Sequence, residues 1–490
     1  MSSVSALLCQ LNVHQGLALS SLIEMSTVLD SRIFQNVFST PESAVIWSDK
    51  TRTSYYLDFE AALAKVQAKL GIIPQKAADE IVKCCKWENL DIEELRRQTE
   101  LIGYPVLPVV RQVVKQVNDV EPQLGEWAHW GATTQDVTDT AMVLQLRDVL
   151  DLVENSLAAI IHHLESLSKR YIDTPMAARS NLQQAVPMSY GFKLARLLAS
   201  FQRHRARLHE LRPRLLVVEF SGAAGTLATI SESTSYNVPV SQPDDEPLGL
   251  RCQTLLAQEL GLFVPPIAWH TERDSIAEAG NLFSLLAATC AKFATDLKLM
   301  MQTEVGEASE PYVRSRGSSS TMPQKRNPIG CAYICSMASS ARSMASALVE
   351  AVVADHERST GPWEIEWIVL PQICCLTHST LKHTEYLLDG LEVNVDAMKR
   401  NLDLTQGNIV SEAVMMGLGR ELGRSFAHDL IYDLCQRAVK EKVPLVDLLL
   451  VDETVQKSEV TETELRRLCD PANYLGLSVE MVERVLSSNA

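Results

Sequence analysis

Residues 267–310, between Pro266 and Pro311, contain no proline and only two glycines, Gly280 and Gly306. Within them Leu282, Leu286, Cys290, Phe293, Leu297 and Met300 step by four, four, three, four and three. That is the period of a helix with one apolar seam, so the stretch predicts one or two long helices. Similar patterns run from Asp139 to Tyr171, from Met188 to Leu211 and from Cys331 to Val353. A helix of 30 residues is about 45 Å long, more than one small domain needs, so the patterns predict an elongated bundle. Several carry apolar residues on more than one face, which predicts burial against other subunits. No strand-period alternation and no internal repeat is found. The expected fold class is all-α.

At 490 residues the chain is long enough for several domains. Residues 1–30 read as a leader. Residues 31–128 read as short helices, among them a segment with Phe59, Leu63, Val66 and Leu70 that Gly71 caps and Pro74 stops. Residues 129–388 hold the long helices, and residues 389–490 read as a smaller helical domain with an acidic, apolar stretch at Leu448–Val455. A formal charge of −16 excludes a nucleic-acid backbone as the expected partner. It leaves a small anionic substrate open, because a local site can be basic on an acidic protein. The eleven cysteines form no C-x-x-C pair. Cys84/Cys85 and Cys374/Cys375 sit in apolar runs, so buried free thiols are expected. No metal-ligand spacing appears, and neither a metal nor a cofactor is expected. No apolar run approaches the roughly 18 residues of a membrane span. The leader lacks Lys and Arg, so no targeting peptide and a cytoplasmic location are expected.

Three polar stretches interrupt the helical patterns. Arg314 to Pro328, RSRGSSSTMPQKRNP, sets a flexible Gly317–Ser320 segment before Pro323, Lys325, Asn327 and Pro328. A hydroxyl-rich loop that ends on a lysine and an asparagine has the parts of a lid over an anion. His129 to Thr140, HWGATTQDVTDT, places Thr133, Thr134 and Gln135 at the start of a long helix. There the free N–H groups and the dipole favour an anion; an ordinary Thr/Asp helix cap is the alternative. The third stretch is Ala178 to Gly191, ARSNLQQAVPMSYG.

These motifs resemble the signatures of the fumarase/aspartase superfamily. The loop pattern GSSxMPxKxNP is matched at Ser319, Ser320, Met322, Pro323, Lys325, Asn327 and Pro328, and the R-T-H-L-Q-x-A-x-P pattern at Arg179, Ser180, Gln183 and Pro187. Segments from residue 37 to about 430 look most like the bacterial 3-carboxy-cis,cis-muconate cycloisomerases, with adenylosuccinate lyases next. The resemblance implies a three-domain all-α fold with a central helix bundle, and a homotetramer whose sites are shared between three subunits. It implies Ser319 as the base, with Lys325 and Asn327 stabilising an aci-carboxylate. Thr133, Thr134 and Gln135 would grip one carboxylate, and Arg179, Ser180, Asn181, Gln183, Ser320 and Met322 would line the site. Arg273, Arg326, His356 and Arg358 are further candidates for a carboxylate.

The chain departs from the pattern where the family keeps its acid. Asn181 stands where most members have histidine, Ala332 where many have glutamate, and Ile102–Gly103 where adenylosuccinate lyases carry another histidine. An amine or hydroxide leaves poorly without a proton, whereas a carboxylate, the base of an acid of pKa about 4, needs none. The loss fits a leaving group that is an internal carboxylate, hence a cycloisomerase acting on 3-carboxy-cis,cis-muconate or a related polycarboxylate. An acid supplied by His129, His270 or His356 is the alternative. The competing functions are a C–N lyase of adenylosuccinate or argininosuccinate type that releases fumarate, and a non-catalytic structural tetramer. Ser318 in place of a glycine, and the inserted loop 236–246, bear on the substrate more than on the reaction.

Overall fold

The computed structural model describes residues 27–29, 31–238 and 246–488. The leader lies almost wholly outside the described residues, as does most of the inserted loop. Among the described residues there are eighteen α-helices and two two-stranded sheets, so the chain is all-α. The long helices are Thr134–Arg170, Tyr190–Leu215, Asp274–Met300, Ile329–Glu350 and Pro362–Asp389. Only the first, at 37 residues, passes 30. The stretch expected to be helical over 267–310 forms a single helix of 27 residues, and all six seam residues in it are buried. The helix Pro362–Asp389 has no counterpart in the sequence reading. Pro371 inside it breaks the pattern that marked the others and removes one helical hydrogen bond. None of the described helices is long and apolar enough to cross a membrane.

The chain divides into two compact units. One comprises residues 1–154, 208–285 and 337–380; the other comprises 155–207, 286–336 and 381–490.

In the first unit the core is built on Phe59, Leu63, Ile72, Ile73, Leu146, Leu150, Phe220 and Phe283, all essentially inaccessible. Burying each such side chain contributes about 1.5–3 kcal/mol. The segment expected around Phe59–Gly71 is the second half of a helix that begins at Asp49, where the Ser48 hydroxyl accepts the Thr51 N–H. Gly71 sits just past its end at φ +77°. The Ile72 N–H returns to the Gln67 carbonyl and the Gly71 N–H to Ala68, the two bonds of a glycine-terminated helix. Cys374 and Cys375 are buried free thiols as expected, but Cys84 and Cys85 are only half-buried.

The second unit contains a β-hairpin that the sequence reading did not expect, Pro175–Ser180 paired antiparallel with Gln183–Ser189. Its two-residue loop is Asn181 and Leu182, at φ +49° and +66°, the left-handed pair a type I′ turn requires. A bulge between Ala177 and Arg179 and the short strands hide the alternation that would have marked it. The helix after it, Tyr190–Leu215, starts against the end of Thr134–Arg170. A Cβ on Gly191 would lie 2.6–2.7 Å from Ile172 Cα and the Ser168 and Tyr171 carbonyl oxygens. The C-terminal residues close their own core around Val414, Leu418, Ile431, Leu434 and Leu449. The acidic stretch supplies Leu448 and Val455 to that core.

Replacing Gly191 by alanine drives a methyl into backbone atoms that cannot step aside. Urea denaturation of Gly191→Ala is expected to show a loss of about 1–3 kcal/mol.

Candidate active site

In the second unit, Arg314–Pro328 is a turn closed at its base by hydrogen bonds. The Gly317 carbonyl accepts both the Asn327 N–H (2.8 Å) and the Asn327 side-chain N–H (2.9 Å). Ser318 and Arg326 form an antiparallel bridge beside that contact. Gly317 has φ +70°, and a Cβ there would lie 2.3 Å from the Asn327 carbonyl oxygen. The closed base arches residues 319–325 outward, so that Ser320, Met322 and Lys325 are exposed and Ser319 half-buried. The Ser319 Oγ accepts the N–H groups of Met322 (3.1 Å) and Thr321 (3.3 Å). Two N–H donors on one hydroxyl oxygen favour its anionic form. Asn327 uses one amide hydrogen on the loop itself, leaving one for other work. Arg326 is half-buried, pairs with Glu392 at 2.9 Å, donates to the Glu310 carbonyl and stacks over Tyr312. It ties the loop to its base instead of reaching for a ligand.

The hairpin of the same unit carries Arg179, Ser180, Asn181 and Gln183. Ser180, Asn181 and Gln183 are exposed at its tip. Arg179 differs from expectation. Its guanidinium makes a bidentate pair with Glu307 at 2.7 and 2.8 Å, and Glu307 is fully buried. Asn401 donates to the same carboxylate at 2.8 Å, and Gln184 donates to the Asn401 carbonyl at 2.6 Å. Arg179 therefore fastens the hairpin; both ends of its guanidinium serve a buried carboxylate rather than a substrate.

In the first unit, Thr133 and Thr134 are half-buried at the start of the helix Thr134–Arg170. The opening N–H groups of a helix lack carbonyl partners from within it. Gln135 is buried with its amide saturated: Nε2 donates to Asp139 (2.9 Å) and to the His270 carbonyl (2.8 Å), and Oε1 accepts from Arg358 (2.6 Å). Gln135 and the Ala223 carbonyl hold Arg358 in place beside that helix start. Arg273 is a correction of another kind. It is 2% exposed, caught between Asp139 (2.7 Å) and Glu366 (2.5 Å) and over the Trp269 ring, with four of its five N–H donors spent on the two carboxylates. His356 is exposed in a left-handed turn at φ +52°.

Around Thr133–Gln135 lie groups, half-buried His129 and the buried Glu60, Asp136, Glu219 and His270, that sequence reasoning assigned no role or only a provisional one. His129 pairs with Glu60 at 2.6 Å; burial alone would hold its pKa down, but Glu60 outweighs that and raises it. Asp136 accepts the N–H groups of Thr133 (3.0 Å), Gly222 (3.0 Å) and Ser221 (3.2 Å), and His270 Nε2 at 2.8 Å. Glu219, wholly buried, accepts the Trp269 N–H at 2.8 Å. Burial pushes its carboxyl up to about 7. Burial lowers the pKa of His270, but Asp136 and Glu219 reverse that and raise it. Asp136, Glu219 and His270 have ligand-type atoms within 4.8 Å of one another. Both Asp136 oxygens already accept amides, and the His270–Asp136 spacing is that of an N–H···O bond, so the cluster is a hydrogen-bond network. The only sequence signal was that a lone Glu stands in the apolar run VVEFSG and a His beside Trp269.

A family model described as Lyase matches residues 36–342, and one described as Adenylosuccinate lyase C-terminus matches residues 407–485. The chain belongs to the fumarase/aspartase superfamily. Trans-aconitate decarboxylase 1 of Mycosarcoma maydis is 49% identical over 472 residues, 96% of this chain and 92% of that protein. The 3-carboxy-cis,cis-muconate cycloisomerase of Pseudomonas aeruginosa is 41% identical over 465 residues, 95% and 98% of the two chains. Among solved structures, the 3-carboxy-cis,cis-muconate lactonizing enzyme of Pseudomonas putida superposes with a TM-score of 0.84 at 39% identity, covering 93% of this chain and 98% of that one. The chain is therefore an enzyme of this superfamily, with lyase or isomerase chemistry.

Removing Arg179 leaves Glu307 charged, buried and short of a partner. Arg179→Ala is expected to cost about 3–5 kcal/mol in chemical denaturation. A raised KM with unchanged stability would instead return Arg179 to the substrate.

Proposed function

We propose that this superfamily member acts on an unsaturated tricarboxylate through a dianionic aci-carboxylate, needing neither a cofactor nor an acid for the leaving group. The observation that carries the reading is Asn181 at the exposed hairpin tip, with Ala332 in place of the family's glutamate, beside an intact Ser319 whose oxygen two N–H groups already face. Such a site exchanges a proton at carbon but protonates no departing amine.

Two reactions meet that condition. The identity to the trans-aconitate decarboxylase, at 49%, favours decarboxylation of trans-aconitate. The bond from the methylene carbon to its carboxylate breaks, and its electron pair forms a new terminal double bond. The original double-bond pair moves to the carbon beside the other terminal carboxylate, giving the aci-carboxylate. Ser319 then delivers a proton to that carbon and recovers one from water. Carbon dioxide departs without a proton, so no acid is required. The second reading, closure of 3-carboxy-cis,cis-muconate onto its lactone, is favoured by the cycloisomerase relatives at 41% and 39% identity. There a substrate carboxylate adds to the double bond, and the same aci-carboxylate takes the same proton. In both, Lys325 and the remaining Asn327 N–H face the developing dianion, a term usually among the largest in catalysis. Thr133, Thr134 and Arg358 take a second carboxylate. A homotetramer with sites shared between subunits would bring the loop, the hairpin tip and the helix start together, and would bury apolar residues now exposed on the long helices, such as Leu285, Val349 and Ile368.

The test is a panel of trans-aconitate, 3-carboxy-cis,cis-muconate and adenylosuccinate, read by carbon dioxide release and ultraviolet absorbance. Turnover of either tricarboxylate is expected, and Ser319→Ala should lose about 10²–10⁴-fold in kcat with assembly unchanged. Fumarate from the aminosuccinate adduct, with neither tricarboxylate consumed, would overturn the reading.

A further inference from the structure

Glu219 is fully buried, yet its Oε1 has no hydrogen-bond partner. That oxygen lies 3.6 Å from His270 Nε2, and the same nitrogen lies 2.8 Å from Asp136 Oδ1. Asp136 in turn holds the N–H of Thr133, and the His270 carbonyl holds the side chain of Gln135. Side chain and backbone of His270 thus both land on the turn that offers Thr133 and Thr134. We propose that Glu219 and His270 are positioning residues: through Asp136 they hold the Thr133–Gln135 turn, and the proton they share sets how tightly that turn binds a polyanion. This rests on the reading that the turn grips a substrate carboxylate.

The physical reason is charge in a dry place. An ionised carboxylate with an unpartnered oxygen is costly away from water, so the pair keeps a proton between Glu219 and His270. As pH rises one proton leaves the pair, and the cluster becomes more negative by one charge next to the turn proposed to receive an anion. The neighbouring charged groups are His129, itself paired with Glu60, and Arg358. The titration belongs to the pair rather than to either residue. Binding of a polycarboxylate then favours the more protonated cluster and takes up a proton, and affinity falls as pH climbs past neutrality.

Glu219→Gln keeps an acceptor for the Trp269 N–H and removes the ionisation. For the wild-type enzyme, KM for the tricarboxylate it turns over is expected to rise by up to about tenfold per pH unit above neutrality. The Glu219→Gln profile should be flat between pH 6 and 8. A second measurement needs no substrate: hydrogen exchange of peptide 129–140, corrected for intrinsic rates. Its protected amides should exchange faster at pH 8 than at pH 6 in the wild type, without that dependence in Glu219→Gln, and faster at both in His270→Gln. If Glu219→Gln leaves both the exchange and the KM profile as in the wild type, the assignment is overturned. If exchange responds as expected while no tricarboxylate is consumed, the positioning role stands and the substrate reading is the one that fails.

Discussion

A guanidinium cut off from water must be neutralised on every side, and in the first unit Arg273 imposes that demand. Asp139 answers it from the helix Thr134–Arg170 and Glu366 from the helix Pro362–Asp389. Asp139 also takes a hydrogen from Gln135 and another from the Trp363 indole. One buried cation thus fixes the start of one long helix against the start of another, and through Gln135 it fixes Arg358. Breaking such a pair leaves an uncompensated charge in low dielectric. Placement of the Thr133–Gln135 turn is therefore bound up with the integrity of the core around it.

Much of this was legible in the sequence, because helical periodicity and the loop string are local signals. The seam from Leu282 to Met300 is buried throughout, and Gly71 ends its helix in the left-handed conformation expected of it. What could not be read were partnerships across long separations. Arg179 and Glu307 are 128 residues apart, and Arg273 and Glu366 are 93 apart; nothing in either neighbourhood distinguishes a buried ion pair from a ligand-binding arginine. The hairpin escaped notice because its strands are short, bulged and poor in β-branched residues. A glutamate in an apolar run, such as Glu219, carries no local sign of the histidine it faces.

The chemistry follows from what the site lacks as much as from what it holds. Asn181 tolerates the left-handed turn position at the hairpin tip, so the backbone shape survives while the acid disappears. What remains is, in the second unit, a serine under two N–H groups with a lysine and an asparagine on one loop, and, in the first unit, a helix start with its arginine. The proposed reactions ask for no more, because carbon dioxide leaves uncharged and an internal carboxylate stays within the molecule, and neither needs a proton.

The clamp between Gly317 and Asn327 has a consequence for motion. A loop whose base is sewn by two bonds onto a single carbonyl has already surrendered much of its backbone freedom before any ligand arrives. The span between the two anchors is thus restrained at its base whatever it meets. A ligand docking against such a loop would forfeit less backbone disorder than one docking against a free chain.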